Sequence, residues 1–155
     1  NKAKHTKHKR GAERKTMKIS TKGRYALRVM IDIAIQTEKD PSADKIPLMQ
    51  IADRQRISKK YLESILVMLT RDGLLEGSRG KGGGYRLTKP VSAYTAGEII
   101  RSAEGSLAPV ACVEPGGEVD KCGYCEICTA HKLWSGLDKV IYDYLDSVKL
   151  SDLLS

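Results

Sequence analysis

Apolar residues recur at helical spacing near the start of the chain. Ala26, Val29, Met30, Ile33 and Ala34 fall at i, i+3, i+4, i+7 and i+8, which predicts a helix over 21–36 with one buried face. Asp40-Pro41-Ser42 ends the pattern, and a short helix over 48–54 follows Pro47. Ser58 is a good N-cap for the next helix, expected to reach Asp72, with Leu62, Ile65, Leu66 and Leu69 as its apolar stripe and Gly73 as its C-cap. Residues 74–78 and 85–87 read as short strands around the tip Arg79-Gly-Lys-Gly-Gly-Gly84, closed by Pro90. Thr95-Ala-Gly-Glu98 has the form of a capping box, opening a helix through residue 103. Residues 106–131 carry Pro, Gly and charge without an apolar period and are expected to form a loop. A last helix, over about 129–148, places Trp134, Leu137, Ile141, Tyr144 and Val148 at alternating spacings of three and four, a coiled-coil type of seam. Leu137, Val140, Tyr144 and Leu145 widen that seam to a second flank, so pairing with another helix is preferred to folding back on its own core. No segment repeats, and no apolar run is long enough to span a bilayer.

Helix, short helix, turn, helix and two-stranded hairpin is the order of a winged helix-turn-helix. The expected class is therefore mainly α with a small β-hairpin, extended by a long C-terminal dimerisation helix. In such a motif the N-terminal residues of the second helix of the turn enter the major groove. Here those are Ser58, Lys59, Lys60, Tyr61 and Glu63. The apolar stripe leaves Lys59, Lys60 and Glu63 pointing outward, the lysines toward phosphates or guanine acceptors and Glu63 toward cytosine N4. The plain alternative is a solvated helix with an ordinary i, i+4 Lys59–Glu63 pair. At the hairpin tip, Arg79, Lys81 and Arg86 surround Gly80, Gly82, Gly83 and Gly84, which permit unusual φ angles and close approach to a phosphate chain. A nucleotide-binding phosphate loop would need Gly-Lys-Ser/Thr leading into a helix, whereas this run leads into Tyr85, Arg86, Leu87 and a proline.

Net charge modifies this picture less than its size suggests. Of the formal +8, residues 1–16 hold seven Lys or Arg and one Glu, which leaves 20 basic and 18 acidic positions in 17–155. The 1–16 segment is too polar to bury anything and is expected to be a disordered basic tail, more plausibly upstream or added sequence than a DNA-binding arm. It has no apolar region after its charges, so it is not a signal peptide, and a reducing cytoplasm is the expected compartment. With 41% apolar and 30% charged residues, the remainder is ordinary for a globular domain. It shows no catalytic constellation, so an enzyme is not expected.

All four cysteines fall in Cys112, Cys122, Cys125 and Cys128, with His131 close behind. In a reducing compartment such clustering reads as metal-binding or redox-active. Structural zinc sites usually supply two paired knuckles, and only one side here is tightly spaced. A reversible thiol switch is a further reading. The run Cys122-x2-Cys125-x2-Cys128, with Cys112 as a fourth ligand, fits iron–sulfur ligation best.

From Met17 onward the chain resembles the IscR-like (Rrf-type) bacterial transcription regulators. The resemblance rests on Met17-Lys-Ile-Ser-Thr-Lys-Gly-Arg-Tyr-Ala-Leu27, Ser58-Lys-Lys-Tyr-Leu-Glu63, Gly80-Lys-Gly-Gly-Gly-Tyr-Arg-Leu87, Gly97-Glu-Ile-Ile100, Glu104-Gly105 and Cys128-x2-His131-x2-Trp134. It implies a cytoplasmic homodimer that binds palindromic operator DNA, acts as a repressor and responds to cluster, redox, nitric oxide or cysteine status. It divides the chain into a winged head at 17–105, a cluster-binding loop at 106–131 and a dimerisation helix with the C-terminus at 132–155. Glu63 becomes the base-discriminating residue, and the 79–84 tip enters the minor groove. The implied DNA-binding set is Lys22, Arg24, Tyr25, Ser58, Lys59, Lys60, Tyr61, Glu63, Arg79, Lys81, Gly82 and Gly83. The implied metal ligands are Cys112, Cys122, Cys128 and His131, which suit [2Fe–2S], with Cys125 as an alternate ligand; an all-cysteine set would suit [4Fe–4S]. Here the gap after Cys112 is longer than the family's usual one, and Cys125 is one cysteine more than its pattern uses. The competing expectation is a thiol-redox or zinc-containing regulator of sulfur or cysteine metabolism without a cluster, which some relatives combine with binding a cysteine-biosynthesis enzyme.

Overall fold

Ser20 sets the start of the first helix: its hydroxyl accepts from the backbone of Gly23 (3.2 Å) and caps helix α1, Thr21–Lys39. The structure is a computed structural model and describes residues 18–115 and 127–154. The expected basic tail and the thiols of Cys122 and Cys125 lie outside the described residues. The expected apolar face of α1 is buried, but the helix runs three residues past 36. Thr37, Glu38 and Lys39 carry no apolar period; they stay helical because Thr37 bonds back to the Ile33 carbonyl (2.8 Å) and Asp40 N–H closes on Gln36 (3.0 Å).

Helix α2, Leu48–Gln55, ends at Arg56, whose left-handed φ of 53° turns the chain sharply. Ile57 N–H then reaches back to Ala52 O (3.1 Å) while its side chain enters the core. Ser58 starts helix α3, Lys59–Arg71, accepting from Tyr61 N–H at 3.4 Å. Leu62, Ile65, Leu66 and Leu69 are fully buried, as the stripe predicts. Asp72 is the cap itself, and Gly73 is the left-handed residue after it (φ 74°).

Strands β1 (Leu75–Ser78) and β2 (Gly84–Leu87) pair antiparallel in the register Leu75↔Leu87 to Ser78↔Gly84. Leu74 is outside the strand because its N–H closes on Leu69 O (2.9 Å). An isolated bridge adds Ile46 to the hairpin: Ile46 and Tyr85 exchange backbone bonds of 2.8 and 2.9 Å. This ties the segment before α2 to the wing.

Helix α4, Ala96–Glu104, packs across α1. Thr95 caps it by accepting from Glu98 N–H (3.0 Å), but the capping box is only half formed. The Glu98 carboxylate is taken instead by Lys89 Nζ, at 2.8 Å from both oxygens. At its far end Glu104 accepts from the backbone and the hydroxyl of Ser20 (2.9 and 2.7 Å), so α4 fastens the start of α1. Tyr94, fully buried, donates to Leu74 O (2.9 Å) and accepts from the N–H groups of Thr88 (2.8 Å) and Lys89 (3.1 Å). One phenol thereby joins both ends of the hairpin to the core.

Helix α5 spans His131–Ser147, two residues later than expected at its start and one earlier at its end. Val148 is extended, not helical, and its carbonyl accepts from Ala96 N–H (2.9 Å). The chain then returns to the head, where Leu150 is fully buried. The expected seam is therefore divided. Trp134 and Ile141 are half-buried, Val148 has left the helix, and Leu133, Leu137, Val140 and Tyr144 form an exposed stripe at spacings of four, three and four. No helix of the described residues is long and apolar enough to cross a membrane.

Candidate nucleic-acid interface

A helix-turn-helix can present side chains reproducibly only if its helices are fixed on the rest of the head. Here a buried acid ties α1 to α2. Asp32, on the apolar face of α1 and 5% exposed, accepts two bonds from Arg54 of α2 (Nε 2.9 Å, Nη2 2.8 Å) and one from Gln55 (3.1 Å). The carboxylate in turn holds the Arg54 guanidinium above its ordinary pKa. Arg28 adds a second tie, donating to the Gln55 side chain and carbonyl (3.1 Å each) while lying 5.0 Å over the Tyr25 ring. Tyr25 meets Tyr61 edge-on with centroids 5.9 Å apart, joining α1 to the first turn of α3. Sequence reasoning missed Asp32, Arg54 and Arg28. The one available signal was an acid interrupting an otherwise apolar helix face, between Met30 and Ile33.

On this frame, Ser58, Lys59, Lys60 and Glu63 are all exposed on one end of α3, and Tyr61 is half-buried against Tyr25. Lys59 and Glu63 do form the i, i+4 pair, but at 3.9 Å and with both side chains about half exposed or more. Such a pair is weak, so it leaves Glu63 available to another partner. Arg24 is exposed and folds back to Thr21 Oγ1 (3.1 Å). Lys22 is half-buried and lies near Asp72, at the opposite end of α3 from Lys59 and Lys60.

The hairpin tip has the geometry its glycines suggest. Gly80 and Gly82 have φ of 90° and 77°, and Gly83 N–H closes the turn on Gly80 O (3.0 Å). Arg79, Lys81 and Gly82 are exposed there and Gly83 is half-buried. Arg86 does not belong with them. It faces Glu76 (2.9 Å) across the hairpin and Asp44 (2.7 Å), which hold its guanidinium above the usual value, and so it braces the wing's base. Cross-strand alternation placed it there; a run of charges read without register could not.

At the other end of the chain, Cys112 sits on a 3-10 turn, Ala111–Val113, that packs against α5, and Cys128 lies three residues before the first residue of α5. Both are free, half-buried thiols. Cys128 O accepts from His131 N–H (3.1 Å), and the His131 ring is half-buried with Nδ1 3.4 Å from Ser135 Oγ. Among the described residues no three His, Cys, Asp or Glu side chains form a group that could hold a metal ion, and Cys122 and Cys125 lie outside them. Farther along α5, burial pushes the Asp138 carboxyl above its ordinary pKa, and its Oδ1 has no hydrogen-bond partner among the described residues.

Comparison with known proteins agrees with this architecture. A family model described as Rrf2, iron-dependent transcriptional regulator, matches residues 19–155. The HTH-type transcriptional regulator IscR of Klebsiella pneumoniae is 35% identical over 139 residues, which cover 90% of this chain and 80% of that one. Among solved structures, CymR, the global cysteine regulator of B. subtilis, is similar with a TM-score of 0.66 and 36% identity, covering 88% of this chain and 95% of that one. IscR of T. potens is similar with a TM-score of 0.65 and 31% identity, covering 88% and 85%. The chain therefore belongs to the Rrf2 family of winged-helix transcriptional regulators.

Proposed function

We propose that two copies of this chain bind a palindromic operator in the cytoplasm and repress transcription according to the state of an iron–sulfur cluster. The observation that carries this reading is the meeting of three features on one fold. The head exposes Ser58, Lys59, Lys60 and Glu63 beside a basic wing tip; α5 exposes an apolar stripe; and two free thiols lie against or next to α5. In the proposed division, 17–105 contacts DNA, 106–131 senses and 132–155 pairs. Half-sites of a helix-turn-helix dimer lie about one DNA turn apart, roughly 34–36 Å, so a small movement at the pairing helix changes how both heads fit.

The donor set suits the group. Cys112 and Cys128 are half-buried thiols, and His131 Nδ1 faces Ser135, which leaves Nε2 as the ligating atom. Cys112, Cys122, Cys128 and His131 would hold a [2Fe–2S] cluster, with Cys125 as the alternate ligand toward [4Fe–4S]. When bound, the cluster supplies a charge- and redox-sensitive link across the loop. Bound through those side chains it would tie residue 112 to residue 128, and any difference in its affinity for two arrangements of α5 would shift their populations by that amount.

The test is anaerobic purification followed by iron, sulfide and zinc analysis and promoter retardation. Iron with sulfide and visible absorbance is expected; stoichiometric zinc with none of these refutes the cluster. Cys125→Ser keeps the cluster if His131 is the fourth ligand and loses it if the four cysteines are. A second reading, a thiol-redox or zinc-containing regulator of cysteine metabolism, is favoured by the 36% identity to the global cysteine regulator. It predicts cluster-free protein whose DNA affinity changes with thiol oxidation.

A further inference from the structure

Two buried side-chain polar atoms lack a hydrogen-bond partner among the described residues, Arg101 Nη1 and Asp138 Oδ1. They belong to α4 and α5, which pack on each other. Arg101 lies 5.1 Å over the Tyr142 ring, and its Nη2 donates to Asp146 Oδ1 at 2.7 Å. Asp138, Tyr142 and Asp146 follow one another at i, i+4 and i+8, so they stand in one row on α5, each about 6 Å further along the axis. Arg101 is level with the middle of that row and has a carboxylate one turn to either side. It has taken one and left the other.

The two carboxylates are unequal in how well they bear being left. Asp146 is 45% exposed and accepts a second, longer bond from Thr95 Oγ1 (3.4 Å), so water and Thr95 can replace the arginine there. Asp138 has no such relief, and a buried polar atom without a partner is costly. Moving the guanidinium from Asp146 to Asp138 therefore loses little at one end and satisfies a buried atom at the other. Gly97 holds the balance. A Cβ there would overlap the Asp146 carboxylate and come within 2.8 Å of Arg101 Nη1, so the present pair forms only beside a glycine.

The end of α5 is fixed to the head. Val148 O accepts from Ala96 N–H (2.9 Å), Leu150 N–H donates to Tyr94 O (3.0 Å), and the Leu150 side chain is fully buried. At its start, the backbone bonds of His131, Leu133 and Trp134 are all local, to Cys128 and Ala130. A second arrangement of α5 thus keeps the end and swings the start.

We propose that Arg101 is a two-position latch between α4 and α5. In this structure it holds Asp146; with the start of α5 swung toward α4, it turns past Tyr142 and holds Asp138. The start of α5 leads out of the cysteine segment, and the exposed stripe from Leu133 to Tyr144 runs along it, so the latch selects between two settings of the pairing face. The latch is a property of one chain; its use in regulation rests on the operator-binding reading above.

Carbon-13 carboxyl titration of Asp138 in the full-length protein reads the latch directly, because a guanidinium brought to a carboxylate lowers its pKa. Asp138 is expected to titrate above the ordinary carboxyl range in the parent and to fall in Asp146→Asn. Gly97→Ala, whose methyl displaces Asp146, is expected to act the same way without removing a charge. Adding Arg101→Gln to either variant is expected to return Asp138 to its high value. Promoter affinity is the second readout. Asp146→Asn and Asp138→Asn are expected to shift it in opposite directions, each by up to about fivefold, the worth of one partly exposed ion pair. If Asp138 keeps its parent titration in both Asp146→Asn and Gly97→Ala, the latch is overturned while the regulator reading stands. If it falls but both Asp variants bind the promoter as the parent does, the latch has no part in regulation. If Asp138 responds and the parent itself fails to retard its promoter, the regulator reading falls and the latch stands.

Discussion

Replacing Tyr94 with Phe removes one oxygen and leaves the ring in its fully buried place. That oxygen serves Leu74 O at 2.9 Å, Thr88 N at 2.8 Å and Lys89 N at 3.1 Å, and it lies 3.1 Å from Thr88 Oγ1. Thr88 Oγ1 has another acceptor in Gly73 O (2.8 Å), so it is not stranded. The three backbone bonds are lost outright. At about 1 kcal/mol net for each, and with the two N–H groups only partly buried and so partly rehydrated, the loss comes to about 2–3 kcal/mol. For a chain of this size that corresponds to a fall in melting temperature of roughly 5–10 °C. Urea unfolding followed by circular dichroism, with parent and variant at the same protein concentration, measures it. A loss under about 0.5 kcal/mol would refute the view that this phenol closes the base of the wing. Salt-bridging neighbours could not hide such an effect, because Lys89 keeps Glu98 in either protein.

Asp32→Asn exchanges charge-assisted bonds for neutral ones while Arg54 keeps about a third of its exposure, so about 2 kcal/mol is expected, read by the same unfolding assay. A double-mutant cycle with Arg54→Ala should show coupling; strict additivity would exclude the pair as the tie between α1 and α2. Asp138→Asn is expected to raise the melting temperature at neutral pH. Burial raises the folded pKa of Asp138 above its unfolded value, so its penalty is absent in acid and appears as pH rises through the unfolded and then the folded pKa. The gain should therefore vanish below about pH 4, and a gain independent of pH would contradict this cause. Val140→Asp, placed in the exposed stripe of α5, should shift sedimentation toward monomer without unfolding the head. Unchanged mass would argue against this stripe as the pairing face.

The winged architecture was legible because each apolar stripe has one period and three of the helix starts, those of α1, α3 and α4, have a visible side-chain cap. Ser20, Ser58 and Thr95 all accept the N-terminal N–H bonds that their types favour. What escaped notice was long-range. Glu98 completes a capping box by sequence, yet Lys89, which reaches it from the end of the hairpin, outcompetes the local bond. Arg86 looked like part of a basic tip until strand register set it opposite Glu76. Asp32 finds Arg54 22 positions away, and Leu150 joins a core built mainly from residues before 108. The seam of α5 was only partly legible, because alternating three-and-four spacing fits more than one set of apolar residues: Leu137 and Tyr144 are exposed as a pairing face requires, whereas Trp134 and Ile141 are half-buried and Val148 lies outside the helix. Which set stays outside depends on where α4 packs, through Arg101 against Tyr142 (5.1 Å) and Asp146 (2.7 Å). At the candidate DNA face, residue type and spacing pointed to Lys59, Lys60 and Glu63 directly, whereas the place of Arg101 between Asp138 and Asp146 exists only once α5 is folded against α4.

Helix α5 has no fully buried side chain within a single chain. A seventeen-residue helix with so little cover cannot rest on propensity alone, and most helical stability in proteins comes from packing an apolar face. Under the proposed pairing, the free energy that orders α5 is supplied by a second molecule, so it depends on how many molecules the cell holds. Copy number then becomes an input alongside the chemical signal. Dilution alone would leave intact heads joined to loosened helices, and abundance would set how often the sensor is assembled to be read.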